Sequence, residues 1–156
     1  MNVADLVARL KERGETLAVA ESLTGGLLAA TLVEVPGVSQ VLRGGLVVYA
    51  TDLKAKLAGV DPALLAERGP VDPDVAVALA TGAARMCDAD WGLGTTGVAG
   101  PDPQDGVTVG TVFVGLAGPG SVERVLGLRL TGDRRTIRSE AVSAALRLLA
   151  EALDKG

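Results

Sequence analysis

The chain has 156 residues, 48% of them hydrophobic, and a formal net charge of −4. This length and apolar content predict one folded domain, residues 1–156. The negative charge, with only one Trp, one Tyr and one Phe, argues against a nucleic-acid-binding surface. Because the chain has no histidine and one cysteine, histidine-based triads and most zinc sites are excluded. We expect no metal and no cofactor.

The cellular setting follows from the same composition. No hydrophobic run approaches the ~20 residues that span a membrane. The first residues have the apolar spacing of an amphipathic helix and not the basic and then apolar pattern of a signal peptide. The single cysteine, Cys87, excludes an intrachain disulfide and is expected in the core. We therefore predict a cytoplasmic protein with no membrane partner.

Along the chain, short continuous apolar runs, which indicate buried strands, alternate with segments whose apolar residues recur at the helical period. This alternation predicts an α/β fold. We expect strands at Thr16–Ala20, Gly45–Ala50, Trp91–Thr95, Val107–Ala117 and Val122–Leu130. We expect helices that begin near Val3, Leu27, Asp61, Asp72 and Asp133. The last two strands are joined by a short turn and form a hairpin, so the predicted fold is a three-layer α/β/α arrangement with a mixed, mainly parallel sheet.

Residues 20–26, with the sequence Ala-Glu-Ser-Leu-Thr-Gly-Gly, join the first strand to the second helix. The carboxyl end of a strand is where α/β sheets bind ligands. Ser22 and Thr24 supply hydroxyls, Gly25 and Gly26 permit close approach of the backbone, and N–H groups of a helix's first turn attract anions. The turn predicts a small-molecule site centred on Ser22, although an ordinary helix cap explains the same composition.

Residues 92–97 match the dinucleotide-binding pattern G-x-G-x-x-G, but its structural context is missing. Pro101 and Pro103 follow where a helix should begin, and no acidic residue occurs about 20 positions on. The loop 97–101 still offers backbone amides to a ligand. It lies at the same edge as Ser22 if the two strands are parallel neighbours; a plain tight turn is the alternative.

Activation of a serine without histidine requires lysine or tyrosine. Lys54 is the best candidate, because it follows the second strand closely and Tyr49 ends that strand; most lysines, however, are merely solvated.

Arg134 and Arg138 are four residues apart and share a helical face. Two guanidiniums beside a helix start suit a phosphate or carboxylate, and a solvated basic face is the alternative.

Five segments in order along the chain resemble the motifs of one family, the CinA C-terminal domain or nicotinamide-nucleotide amidohydrolase family. The motifs are E-S-x-T-G-G, G-x-V-x-Y with a following lysine, G-I-A-G-P, V-G-T-V and G-D-R-x-x-[IV]-R. They correspond to residues 21–26, 45–49 with Lys54, 97–101, 109–112 and 132–138. A set of five ordered motifs is far more specific than any one of them.

The resemblance implies a metal-independent enzyme that hydrolyses the carboxamide of nicotinamide mononucleotide to nicotinic acid mononucleotide and ammonia. It implies that Ser22 is the nucleophile and that Lys54 and Tyr49 activate it or carry protons. Together with the apolar, aromatic-poor composition, the resemblance also implies a homodimer. The substrate-binding residues by this analogy are Thr24, Gly25, Gly26, Gly97, Ala99, Gly100, Arg134 and Arg138.

The chain departs from the family pattern between Tyr49 and Lys54, where the asparagine and glutamate often seen in relatives are absent. This departure motivates one alternative to the amidohydrolase, a nucleotide-binding module of the same family without catalytic activity. A separate alternative is an acyl-transfer enzyme or amidase that acts on a different small amide.

Overall fold

The structure, a computed structural model, describes residues 2–155. The chain forms helices α1 (Val3–Arg13), α2 (Leu27–Val33), α3 (Thr51–Ala58), α4 (Pro62–Arg68), α5 (Pro73–Met86) and α6 (Arg134–Asp154). Its strands are β1 (Leu17–Glu21), β2 (Leu42–Val47), β3 (Trp91–Gly97), β4 (Thr111–Gly118) and β5 (Val122–Arg129). None of the helices within this range is both long enough and apolar enough to cross a membrane.

The strands form one five-stranded sheet in the order β2-β1-β3-β4-β5. Strand β1 pairs in parallel with β2 and β3, whereas β4 is antiparallel to both β3 and β5. The predicted mixed sheet is confirmed, since every strand except β4 runs in the same direction. The chain leaves β1 toward β2 on one side and later returns to β3 on the other. The carboxyl end of β1 is therefore a topological switch point, where such sheets place their ligands.

The two faces of the sheet are covered by different helices. Strand β1 is buried along its whole length, and its side chains alternate between the faces. Leu17 and Val19 belong to a core cluster with α1, α2 and α6, whereas Ala18 and Ala20 belong to a cluster with α3, α4 and α5. This division confirms the predicted α/β/α layers and leaves the end of β1 between them.

Helix α5 lies directly on a group of glycines in β3 and β4. A Cβ atom on Gly92 would lie 1.9 Å from the Ala80 carbonyl oxygen, and one on Gly115 would lie 2.2 Å from the Ala76 carbonyl oxygen. Gly94 faces the same helix, with the Ala76 carbonyl oxygen 2.5 Å from its Cβ position. The glycines that resemble a dinucleotide motif thus permit close packing between helix and sheet.

The helix boundaries follow the predicted signals. Asp61 and Asp72 accept hydrogen bonds from the first-turn amides of α4 and α5, as expected for an acidic N-cap followed by proline. Gly14 ends α1 in the left-handed conformation, with φ +67°. Cys87 corrects one prediction: it is half-buried at the end of α5 and packs on the border of the core rather than inside it.

The second strand differs from the prediction, because it covers Leu42–Val47 and not Gly45–Ala50. Pairing begins earlier, with Leu42 opposite Leu17, and passes through a register irregularity directly afterwards. Ala50 already precedes the first residue of α3. The apolar run 46–49 therefore spans the last residues of the strand and the start of the following turn. The composition of the run does not show where the strand ends.

The fourth strand begins at Thr111, so the predicted start at Val107 is wrong. Gln104 and Val107 exchange backbone hydrogen bonds, which closes a tight loop. Gly110 then has φ +91° and donates to the Val98 carbonyl, so extended pairing starts only after it. The loop thereby remains beside the carboxyl end of β3.

Gly115→Ala should destabilise the protein by about 3 kcal/mol, since the added methyl meets backbone atoms of α5 that cannot yield without moving the helix. Gly44→Ala is the matched control, because its Cβ would meet only the Cys87 Sγ atom, at 3.3 Å. Urea unfolding of both variants measures the difference. Equal midpoints for Gly115→Ala and wild type would contradict the packing described above.

Candidate active site

An open cavity lies outside the carboxyl ends of β1, β2 and β3. Its lining includes Ser22 from the turn after β1, Tyr49 and Lys54 from the segment after β2, the loop 97–100 after β3, and Arg134 from α6. The parallel pairing of β1 with both neighbours brings these three strand ends together. The structure thus unites segments that are more than 100 residues apart in sequence.

Ser22 and Lys54 are in direct contact. The Lys54 Nζ atom lies 2.9 Å from Ser22 Oγ, 2.8 Å from the Val48 carbonyl oxygen and 3.1 Å from the Tyr49 carbonyl oxygen. Helix α3 places this lysine in the interior, where only 1% of its surface is exposed. These contacts use all three positions around the nitrogen.

The protonation state of Lys54 determines what this contact can do. Burial disfavours the charged form and lowers the pKa of Lys54 from 10.5 to about 8. A neutral amine has two N–H groups and one lone pair. When the carbonyls of Val48 and Tyr49 accept the two N–H bonds, the lone pair faces Ser22, whose hydroxyl then donates to it. This is the arrangement of a nucleophile beside its base.

Glu21 is a buried carboxylate directly before Ser22, with 1% of its surface exposed. It accepts hydrogen bonds from the backbone amides of Leu28, at 2.8 Å, and Ala29, at 3.1 Å. The amide of Leu27 donates to the Thr24 carbonyl. The expectation that α2 offers free first-turn amides to an anionic ligand is therefore wrong, because residues of the chain itself occupy them.

Thr24, Gly25 and Gly26 shape the turn and do not line the cavity described above. The Thr24 side chain is fully buried, and its hydroxyl pairs with that of Thr95 at 2.8 Å. Gly25 and Gly26 have φ values of +58° and +102°, which favour glycine. These three residues position Ser22 from outside the cavity.

The two arginines at the start of α6 lie in different surroundings. Arg134 lines the cavity and donates to the Gly100 carbonyl and, at 2.9 Å, to the Tyr49 hydroxyl. The Tyr49 hydroxyl thus bonds to Arg134 and not to Ser22 or Lys54, and the residue is 59% exposed at the cavity mouth. The guanidinium of Arg134 is the only permanently charged cation among the described residues that line this cavity.

Arg138 binds the back of the turn that carries Ser22. Its Nε donates to the Leu23 carbonyl at 2.9 Å, and its Nη2 donates to the Thr24 carbonyl at 3.0 Å. The residue does not contribute to the lining of the cavity that contains Ser22 and Lys54. Its geometry is that of a structural brace for the turn.

The loop after β3 forms the opposite wall, and Gly97, Ala99 and Gly100 all line the cavity. Its strand pairs in parallel with β1, which meets the condition under which this loop lies at the same edge of the sheet as Ser22. At Gly100, φ is +81° and a Cβ would lie 2.6 Å from the Val109 side chain, whereas a Cβ on Gly97 would lie 2.6 Å from the Thr111 carbonyl oxygen. Both positions therefore require glycine for the loop to approach the site.

Sequence reasoning missed part of the lining. Thr96, Asp102 and Gln104 face the cavity, as does the pair Pro70–Val71 between α4 and α5. The Thr96 hydroxyl donates to the Pro70 carbonyl at 2.7 Å, which attaches that wall to β3. The alternation of side chains along β3 could have indicated Thr96, but no local signal places residues 70–71 at the site.

No group of three or more acidic or cysteine side chains within residues 2–155 has the arrangement of a metal site. The chemical groups assembled here are a serine hydroxyl, a buried lysine amine and an arginine guanidinium, with backbone amides around them. Together with the sheet topology they define an α/β protein with a serine–lysine pair at the switch point of its sheet.

The chain belongs to the CinA family, since residues 2–153 match the model of the CinA C-terminal domain. It is 54% identical over 141 residues to a CinA-like protein of Frankia casuarinae, and 46% identical over 132 residues to a putative competence-damage inducible protein of a Geobacillus species. These alignments cover 90% and 85% of the chain but 32% of each relative. The chain thus corresponds to about a third of the length of these relatives.

Solved structures of the same family have the same fold. The CinA superfamily protein of Klebsiella pneumoniae superposes with a TM-score of 0.92 at 30% identity, over 100% of both chains. The competence/damage inducible protein of Agrobacterium tumefaciens superposes with a TM-score of 0.90 at 31% identity, over 97% of this chain and 95% of that one. The family indicated by the five motifs and the α/β fold predicted from the apolar pattern are both confirmed.

Proposed function

We propose that the protein is a serine amidohydrolase that converts nicotinamide mononucleotide and water into nicotinic acid mononucleotide and ammonia. The observation that carries this proposal is the 2.9 Å contact between the buried Lys54 amine and the Ser22 hydroxyl. Amide hydrolysis requires a nucleophile and a base active near neutral pH, and this pair supplies both without a metal. The choice of substrate rests on the resemblance to the amidohydrolase motifs.

In the first half of the reaction, Ser22 Oγ attacks the carboxamide carbon while Lys54 Nζ accepts the hydroxyl proton. The tetrahedral intermediate carries the negative charge on the former carbonyl oxygen. When the C–N bond breaks, Lys54 returns its proton to the departing nitrogen, which leaves as ammonia. The acyl group remains as an ester on Ser22.

The oxyanion requires N–H donors that are fixed before the reaction. Since α2 directs its first amides to Glu21 and Thr24, other donors must serve. We assign this role to the backbone amides of Leu23, Ala99 and Gly100. These residues line the cavity, and their amides make no hydrogen bond within the described part of the chain.

In the second half, water attacks the ester carbon while Lys54 accepts one of its protons. The new tetrahedral intermediate releases Ser22 Oγ, to which Lys54 returns the proton. The product is a carboxylic acid, which ionises at neutral pH. The Val48 and Tyr49 carbonyls hold the Lys54 nitrogen throughout, so the same atom serves as base and acid in both halves.

Arg134 is the residue that we assign to the substrate phosphate, because its guanidinium lines the cavity and has no acidic partner among residues 2–155. Tyr49 lies beside it at the mouth and fits the role of a contact to the nucleotide better than that of the base. Arg138 is assigned to the turn and acts on the substrate only through it.

The homodimer and the cytoplasmic location remain predictions. The surface available for self-association includes two exposed apolar side chains at the end of the edge strand β2, Val47 and Tyr49. Because Tyr49 also lies at the cavity mouth, a dimer formed through this surface would place the two mouths near the interface.

Ser22→Ala should reduce ammonia release from nicotinamide mononucleotide by at least about 10³-fold, because the attacking oxygen is lost. Binding of the nucleotide, measured by isothermal titration calorimetry, should persist, and Ser143→Ala on the exposed side of α6 should behave as wild type. A wild-type protein that binds the nucleotide without releasing ammonia would instead be a binding module. Preference for a phosphate-free amide would indicate an amidase of another specificity.

Activity should rise with pH, since only neutral Lys54 accepts the proton of Ser22. With a pKa of about 8, kcat/KM should increase roughly tenfold between pH 7 and a plateau above pH 9. Lys54→Arg should be inactive at every pH, because a guanidinium stays protonated. Lys56→Met, on the exposed face of the same helix, is the control. A flat wild-type profile would contradict the role of Lys54.

The two arginines should give different kinetic effects. Arg134→Gln should raise KM for nicotinamide mononucleotide roughly 10- to 100-fold, which corresponds to the free energy of one charge-assisted hydrogen bond. The KM for nicotinamide riboside, which lacks the phosphate, should change little. Arg138→Gln should lower kcat for both amides alike, since it loosens the turn. A phosphate-dependent KM effect in Arg138→Gln would show that both arginines bind the phosphate.

A further inference from the structure

The backbone of Ser22 is held at two points. Its amide donates to the Thr95 carbonyl at 3.0 Å, and its carbonyl accepts from the Gly25 amide at 3.1 Å. The first contact attaches the serine to β3. The second attaches it to the far side of the turn, whose position depends on how α2 is joined to the sheet.

Glu21 joins both parts of the site to the sheet. Its backbone pairs with β2 and β3, and its carbonyl accepts from the Val48 amide at 2.9 Å. Val48 in turn provides one of the carbonyls that hold Lys54. The Glu21 carboxylate reaches across the turn to the amides of Leu28 and Ala29. One residue thus closes the turn at its strand end and at its helix end.

The carboxylate has no cationic side chain as a partner within residues 2–155. Its charge is balanced by the two amides and the positive end of α2. Helix α2 has only seven residues, and a hydroxyl or amide side chain is sufficient to cap a helix. A buried carboxylate held only by helix amides is therefore not required for this helix to begin. Both of its oxygens are bonded, so its orientation is fixed.

We propose that Glu21 is a positioning residue for the nucleophile: its carboxylate holds the start of α2 so that the turn presents Ser22 Oγ to Lys54. This inference rests on the proposed function, because it concerns the reactivity of Ser22. Glu21 itself touches neither substrate nor the reacting atoms. Its effect passes through the Ser22–Gly26 turn.

Glu21→Gln tests the inference with little change in shape. The amide side chain offers one oxygen and one NH₂ group, so one helix amide loses its acceptor and meets a donor. We expect kcat to fall roughly 10- to 100-fold, as displacements of about 1 Å do, while KM changes little because the cavity wall is intact. The rise of activity with pH should keep its midpoint, since the contacts of Lys54 are unchanged.

The labelling rate of Ser22 by a fluorophosphonate separates this claim from the proposed function. Failure of wild type to label at Ser22 would refute the serine nucleophile itself. If wild type labels and folded Glu21→Gln labels at the same rate per molecule, the positioning role is wrong. Leu10→Val, a core change in α1, controls for lost stability: its melting temperature should fall while its labelling rate stays at the wild-type value.

Ala29→Pro provides a second route if Glu21→Gln does not fold. It removes one of the two donors while Glu21 remains, at the third residue of α2, whose N–H has no partner inside the helix. We expect a smaller loss of kcat and of labelling rate, in the same direction. An unchanged labelling rate in this variant would contradict the inference as directly as it would in Glu21→Gln.

Discussion

The chemistry proposed for the site depends on one buried amine, that of Lys54. Lys54 is a long, basic side chain placed where almost no water reaches it, and no carboxylate lies close enough to form an ion pair with it in the described chain. Its nitrogen is held by the Val48 and Tyr49 carbonyls and faces Ser22. A carboxylate partner would stabilise the ammonium and remove the base. The two carbonyls instead fix the position of the nitrogen, while its burial still disfavours the protonated form.

This arrangement costs stability. The pKa of Lys54 is lower in the folded chain than the 10.5 of the unfolded group, so the unfolded chain binds more protons between about pH 8 and 10.5. Stability therefore rises with pH across that window, and the full cost of burial is present below it. Reactivity at the site is thus obtained at the expense of stability near neutral pH.

The sequence predicted the layers and the hairpin, because these follow from the period of the apolar residues and from the short turn between the last two strands. It placed the 97–100 loop beside Ser22 only on the condition that their strands are parallel neighbours, since the strand order is not written in the local sequence. It named Lys54 for its place after a strand, but nothing in the local sequence shows that this lysine points inward. The different surroundings of Arg134 and Arg138 were also not predicted. Helical spacing places both residues on one face of α6, but only Arg138 donates to the carbonyls of the turn. The role of the Glu21 carboxylate as the acceptor for the first amides of α2 was not predicted, since it depends on three-dimensional proximity.

The central claim is that Lys54 is a neutral amine beside Ser22 at moderately alkaline pH. It is tested most directly by an NMR titration of protein labelled at lysine Cε and Nζ, with the Lys54 signal assigned from its loss in Lys54→Arg. We expect this signal to titrate with a pKa of about 8. A titration near the ordinary value of about 10.4 would show a permanently charged ammonium near neutral pH and would contradict the account.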